Sequence, residues 1–196
     1  EHLEEIVRRI LVKAGTPEDS AKIVADHLVR AHLYGHDSHG VIRLRPYLRG
    51  IKNGSLRPDA HITVLRETPS IAVVDGNDGF GQVTAKEAMM LAIEKAKKTG
   101  IGFVTLTRPG HLGRVGEFVE IAAQRDCIGF AIVNSGLSQA PWGSIDPAYG
   151  TNPIAVCIPA GKHRNILYDA ATSVVAAGKI SVASAAGKPV PEGWII

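Results

Sequence analysis

The sequence predicts an α/β protein in two parts: a helical N-terminal part over residues 1–57 and a mixed-sheet α/β domain over residues 58–196. Two observations predict this. Ahead of Pro58, apolar residues recur at helical spacing. Beyond it, short runs rich in β-branched residues alternate with helical patterns. A third observation narrows the class, because no G-x-G-x-x-G follows a strand and opens a helix. Gly76-x-x-Gly79-x-Gly81 has the glycines in the wrong order and reads as a turn.

Leu3, Ile6, Val7, Ile10 and Leu11 define a first helix that Gly15 ends. Thr16 is placed to cap a second helix, with Pro17 at its first position. Val24, Leu28 and Ala31 form its apolar stripe, and His27 and His32 on it read as structural residues. Val41 to Lys52 reads as a third helix ending at Asn53-Gly54. Ile62–Leu65 and Ile71–Val74 read as strands separated by Thr68-Pro69. Gln82 to Lys98 is the strongest helical pattern, with lysines at its C-terminal end and Gly100 as its cap. Ile101–Leu106 follows as a buried strand, Val115–Arg125 as a helix and Ile128–Val133 as another buried strand. Helix, strand, helix, strand with short links predicts an α/β layer with at least one right-handed crossover. After a loop-rich stretch, Ile154–Ile158 and Asn165–Asp169 read as strands, and a short helix runs from near Ser173 past Lys179.

The bulk properties exclude several classes. With 45% apolar and 21% charged residues the chain is of ordinary globular composition. A net charge of +3 with dispersed Lys and Arg gives no nucleic-acid signature. No signal peptide opens the chain and no apolar run reaches spanning length, so no membrane partner and a cytoplasmic location are expected. Cys127 and Cys157 sit in apolar contexts and read as buried free thiols.

Chemistry concentrates in Tyr34-Gly35-His36-Asp37-Ser38-His39-Gly40-Val41-Ile42-Arg43-Leu44-Arg45-Pro46-Tyr47, at a reversal between two helical patterns. Helices on either side can fix side chains that face a cleft. Imidazole titrates near neutrality and suits proton transfer, which makes His39 a candidate acid or base. His111 is the other, in the loop Arg108-Pro109-Gly110-His111, where a helix N-terminus would favour its neutral form. Arg43, four residues after His39, offers the planar fork that binds a carboxylate in two places. Ser38 could bond substrate or cap a helix, and Tyr47 could line a pocket or pack. His36-Asp37-x-His39 fits no metal motif, and no metal is expected.

Asp37-Ser38-His39-Gly40-Val41-x-Arg43-Leu44 with Tyr47, Gly110-His111-Leu112-Gly113, Gly150-Thr151-Asn152-Pro153-Ile154 and Asp169-Ala170-Ala171-Thr172-Ser173 together resemble the malate/L-lactate dehydrogenase family. This is the family of the ureidoglycolate dehydrogenase, diketogulonate reductase and sulfolactate dehydrogenase type, and the resemblance runs along essentially the whole chain. It implies NAD or NADP as cofactor, held on a fold other than the usual dinucleotide-binding one. It implies a small 2-hydroxy or 2-oxo acid as the carboxylate substrate, and a homodimer. His39, His111 and Arg43 would be catalytic, with Ser38, Arg43 and Tyr47 on the substrate. His39, Ser135, Asp169, Ala170, Ala171, Thr172 and Ser173 would face the cofactor. The chain departs from the family pattern at Ala170-Ala171, often a Met-Ala pair, and at Arg108-Pro109, where Ser or Asn is common.

The chain stops at Gly193-Trp194-Ile195-Ile196 without a polar tail, and is expected to be the N-terminal part of a longer protein. The alternative is a catalytically inactive truncated copy that serves as a binding or dimerisation partner.

Overall fold

The structure, a computed structural model, describes residues 1–195. Helices α1 (His2–Lys13) and α2 (Glu18–Leu33) pack as a pair around Val7, Leu11, Val24 and Leu28. Gly15 takes a φ of +94° at the reversal between them, a conformation glycine adopts without strain. The expected Thr16 cap does not form. Pro17 occupies the cap position in extended geometry and its carbonyl accepts from Ala21 N–H, while Thr16 is drawn inward by its own N–H bond to Leu11.

Val41 to Lys52 is not one helix. Two 3₁₀ turns, Asp37–His39 and Val41–Arg43, precede α3 (Leu44–Asn53), which ends at Gly54 with a φ of +76°. The third-helix pattern therefore starts later than its apolar spacing indicates, because Gly40 is extended and resets the chain.

Strands β1 (Thr63–Glu67), β2 (Ile71–Asp75) and β3 (Phe103–Thr107) form one sheet in that order. The first pair is antiparallel and the second parallel, joined across α4 (Gly81–Thr99). After α5 (Gly116–Ala123), strands β4 (Gly129–Ile132), β5 (Ile154–Ile158) and β6 (Ile166–Ala170) make a second, wholly antiparallel sheet. Helix α6 (Ala177–Ala185) follows. The expected mixed-sheet α/β domain is built as two small sheets, because β4 pairs with the apolar run of β5 and not with β3. A glycine at 129 permits this: a Cβ there would lie 2.5 Å from the Val119 carbonyl, so only a bare backbone can press this close to α5.

Leu56, Phe80 at the N-cap of α4 and Val83 within it join the core of the N-terminal helices, so the two parts share packing. The strands read as buried on both faces are covered on one. Phe130 and Tyr168 flank Val156 across the second sheet, and Phe130, Ile132, Ile166 and Tyr168 are each more than half exposed. Cys157 is buried and Cys127 half-buried, both free. Among the described residues no helix is long and apolar enough to cross a membrane.

Candidate active site

Helix α2 braces both histidine-bearing segments. His32 lies near its C-terminal end, where its Nε2 accepts Val41 N–H at 3.0 Å. Its Nδ1 therefore carries the proton and donates to Asp37 at 2.6 Å. Gly40 is required beside it, since a Cβ at that position would lie 2.3 Å from the same ring nitrogen. His27 does the equivalent for the other segment. It is buried, its Nε2 accepts Arg114 N–H at 2.9 Å, and Gly113 turns against it with a φ of +79°. Both histidines read as structural are structural, and each fixes one loop of the site.

Those loops bring His39, His111, Arg43 and Tyr47 together. The imidazoles of His39 and His111 stack with centroids 5.6 Å apart. Arg43 Nη2 lies 3.0 Å from His111 Nε2, and Tyr47 Oη lies 2.8 Å from His111 Nδ1. Ser38 is buried and its hydroxyl sits 2.9 Å from His39 Nδ1, so it positions that ring and caps no helix. Tyr47 both packs, edge-on against Phe80, and bonds. Gln82, in the first turn of α4, completes the group with its carboxamide nitrogen 2.7 Å from Tyr47 Oη. Sequence reasoning missed Gln82. Its signal was a polar residue amid an apolar, tightly packed helix start. Arg45 is exposed and takes no part.

Burial pulls the His111 pKa down to about 3, with the Arg43 charge and His39 adding to it. Burial does the same for His39, down to about 4, with Arg43 and His36 contributing. Both rings are neutral at physiological pH. A helix N-terminus is not the cause: α5 begins only at Gly116, and Asp169 Oδ2 already accepts that N–H at 2.7 Å. Tyr47 is pushed up to about 12, chiefly by burial, and stays a phenol. Arg43 Nε is buried without a partner among the described residues. Among the described residues no group of three or more His, Cys, Asp or Glu could hold a metal ion.

The residues expected at a cofactor form a separate knot. Ser135 and Asn152 bond reciprocally, Ser135 N–H to Asn152 Oδ1 at 2.9 Å and Asn152 N–H to Ser135 Oγ at 3.1 Å. Thr172 donates its N–H and its hydroxyl to Thr151 O at 2.9 and 3.1 Å. Gly150 is buried against Ser135, whose carbonyl would lie 2.4 Å from a Cβ at that position. Asp169 spends a carboxylate oxygen on α5, Ala170 ends β6, Ala171 is half-buried beyond it, and Ser173 donates to Val175 O at 2.8 Å. The segment then enters α6, where Gly178 abuts Ser38 with space for no Cβ. The Thr172 and Ser173 hydroxyls already donate within the knot, so they could accept from the ribose hydroxyls of a dinucleotide but have no proton for its phosphate oxygens. The Asp169 side chain fits less well, being committed to α5.

A buried pair of neutral imidazoles beside a guanidinium with a free buried donor is an arrangement that could hold a small anion and exchange a proton with it, in an α/β fold without a G-x-G-x-x-G loop. The chain belongs to the malate/L-lactate dehydrogenase family, whose model matches residues 1–196. It is 47% identical over 196 residues to a malate dehydrogenase of Pyrococcus abyssi, covering 100% of this chain and 54% of that protein. It is 32% identical over 196 residues to an NAD(+)-dependent ureidoglycolate dehydrogenase of Escherichia coli O157:H7, covering 100% of this chain and 56% of that one. The crystal structure of malate dehydrogenase from Entamoeba histolytica superposes with a TM-score of 0.92 at 38% identity, over 98% of this chain and 54% of that chain. The chain thus spans about half the length of the relatives it matches.

Proposed function

We propose that the protein transfers a hydride between NAD or NADP and a small 2-hydroxy or 2-oxo acid such as malate, lactate or ureidoglycolate. The observation that carries this reading is the Arg43 guanidinium, with Nε buried and unpartnered among the described residues and Nη2 turned to His111. A carboxylate held by that fork would sit beside the imidazoles. The named substrates of the relatives are of this class.

Arg43 binds and orients the carboxylate. His111 takes the hydroxyl proton on oxidation and returns it on reduction. At a pKa of about 3 it is a weak base in the free protein. Substrate corrects this, because a carboxylate on Arg43 offsets the charge that helps hold the imidazole neutral. His39, stacked on His111 and held by Ser38, shapes the pocket and faces the cofactor. The nicotinamide supplies or accepts the hydride when bound. Ser135, the Gly150–Asn152 turn, and Thr172 with Ser173 would hold it, with Asp169, Ala170 and Ala171 contributing through position and backbone.

A screen of 2-oxo acids with NADH and with NADPH on the full-length protein tests the reading. Turnover of a 2-oxo acid that an ester analogue does not show is the expected result. The second reading, an inactive copy acting as a binding or dimerisation partner, is favoured by the open apolar sheet faces and predicts no turnover with any acid. In either case those faces suit a homodimer contact.

A further inference from the structure

The protons around His111 cannot be placed satisfactorily with the carboxamide nitrogen of Gln82 toward Tyr47. Arg43 has donors only, so at 3.0 Å from Nε2 it requires that nitrogen to accept. The ring proton of a neutral imidazole then sits on Nδ1 and is given to Tyr47 Oη, 2.8 Å away. Tyr47 is left with its own O–H, buried, and with Gln82 at 2.7 Å as its other polar neighbour. An amide N–H there would face a phenol that has its own proton to place. It would also strand both that O–H and Gln82 Oε1, which has no partner among the described residues. Letting Tyr47 donate to Nδ1 instead moves the ring proton to Nε2, against the Arg43 donors. The two ends of a carboxamide have the same shape, so neighbours decide which is which. With Oε1 toward Tyr47 the chain runs without conflict: Arg43 N–H to Nε2, Nδ1–H to Tyr47 Oη, Tyr47 O–H to Gln82 Oε1. Only the amide N–H group then lacks a partner.

We infer that Gln82 is a positioning residue which, through Tyr47, holds the proton of His111 on Nδ1 and keeps the Nε2 lone pair directed at Arg43, on the side where a substrate carboxylate would bind. The arrangement resembles other catalytic histidines, where a partner on one ring nitrogen orients the ring and sets which nitrogen reacts. Gln82 is 1% exposed and, among the described residues, its side-chain hydrogen bond is to Tyr47, so its effect on His111 travels through Tyr47. The inference rests on the proposed function only for what the lone pair is used for; the tautomer itself does not depend on it.

The test is nuclear magnetic resonance of the full chain labelled with ¹⁵N-histidine, the His111 signals being assigned with His111→Asn. The expected wild-type spectrum shows the Nδ1–H tautomer at neutral pH. A wild-type Nε2–H tautomer overturns the inference. Gln82→Glu keeps an acceptor for Tyr47 and is expected to retain the Nδ1–H signature. Gln82→Met removes it and is expected to shift the population toward Nε2–H. An unchanged tautomer in Gln82→Met, or an Nε2–H tautomer in Gln82→Glu, overturns the role of Gln82. If Gln82→Met fails to fold, the wild-type and Gln82→Glu spectra still decide. In an active enzyme Gln82→Met should lower kcat by roughly 10- to 10²-fold with KM little changed, as a misoriented catalytic group does, and Gln82→Glu should restore it. An Nδ1–H spectrum without turnover on any 2-oxo acid supports the inference and removes the proposed function.

Discussion

Arg43 Nη2 lies 3.0 Å from His111 Nε2, so the group that would hold the substrate also suppresses the base that would act on it. Binding and basicity are therefore linked. A ligand without a carboxylate would neither be held by Arg43 nor relieve its effect on the imidazole.

Arg43→Lys is expected to raise KM for the acid by about 10- to 10²-fold, since a point-like ammonium loses the planar two-point contact. Steady-state kinetics measure this. Unchanged KM for a carboxylate substrate would remove Arg43 from the site.

His111→Ala is expected to lower turnover by about 10²–10⁴-fold, the range of general acid–base catalysis. His39→Ala should act more on cofactor and substrate binding than on turnover. Full turnover in both variants would show that neither ring carries the proton.

Acid should destabilise the fold through these same rings. Both histidines have pKa values below the ordinary 6.5, at about 4 and about 3, so the unfolded chain binds more protons than the folded one. Their contribution to stability is complete above about pH 6.5 and is lost as the pH falls toward 4 and then 3. Urea midpoints measured from pH 7.5 to 4.5 should fall, and less steeply in His39→Gln/His111→Gln. An equal slope in that variant would place the acid sensitivity elsewhere.

Gly113→Ala should be strongly destabilising. The residue has a φ of +79° and a Cβ there would lie 2.1 Å from His27 Nε2. About 2–4 kcal/mol of stability should be lost, from strain and a displaced buried imidazole. Thermal unfolding measures it. A wild-type melting temperature would mean that the His111 loop can be held without this packing.

The open face of the second sheet should make the chain associate. Phe130, Val156 and Tyr168 form an apolar row across it, and contiguous apolar patches mark interfaces. Sedimentation velocity should show dimers or larger species that Phe130→Lys shifts toward monomer. A monodisperse wild-type monomer with tight NADH binding would show that the face needs no cover.

What was legible in the sequence was what local spacing encodes. The α4 pattern, its Gly100 end and the strand runs emerge within a residue or two of expectation. The motif around His39 was legible because its chemistry lies within one stretch. Pairings across the chain were not. Nothing local distinguishes β3 from β5 as the partner of β4, so the division of the strands into two sheets was not legible. Asp169 sits in a motif implying cofactor contact, yet its carboxylate caps a helix that begins 53 positions earlier. Gln82 was hidden for the same reason: its partner Tyr47 is 35 positions away on another helix.

The bracing by α2 has a consequence for how the molecule is made. His27 reaches Arg114 across 87 positions, and Arg43 reaches His111 across 68. Closing such loops carries an entropic cost that only completed packing offsets. A nascent chain that has released α1, α2 and α3 holds His39 and Arg43 but not the His111 imidazole that both meet in the finished site. The stacked His39–His111 pair is thus absent until the segment through Arg114 has been made and docks.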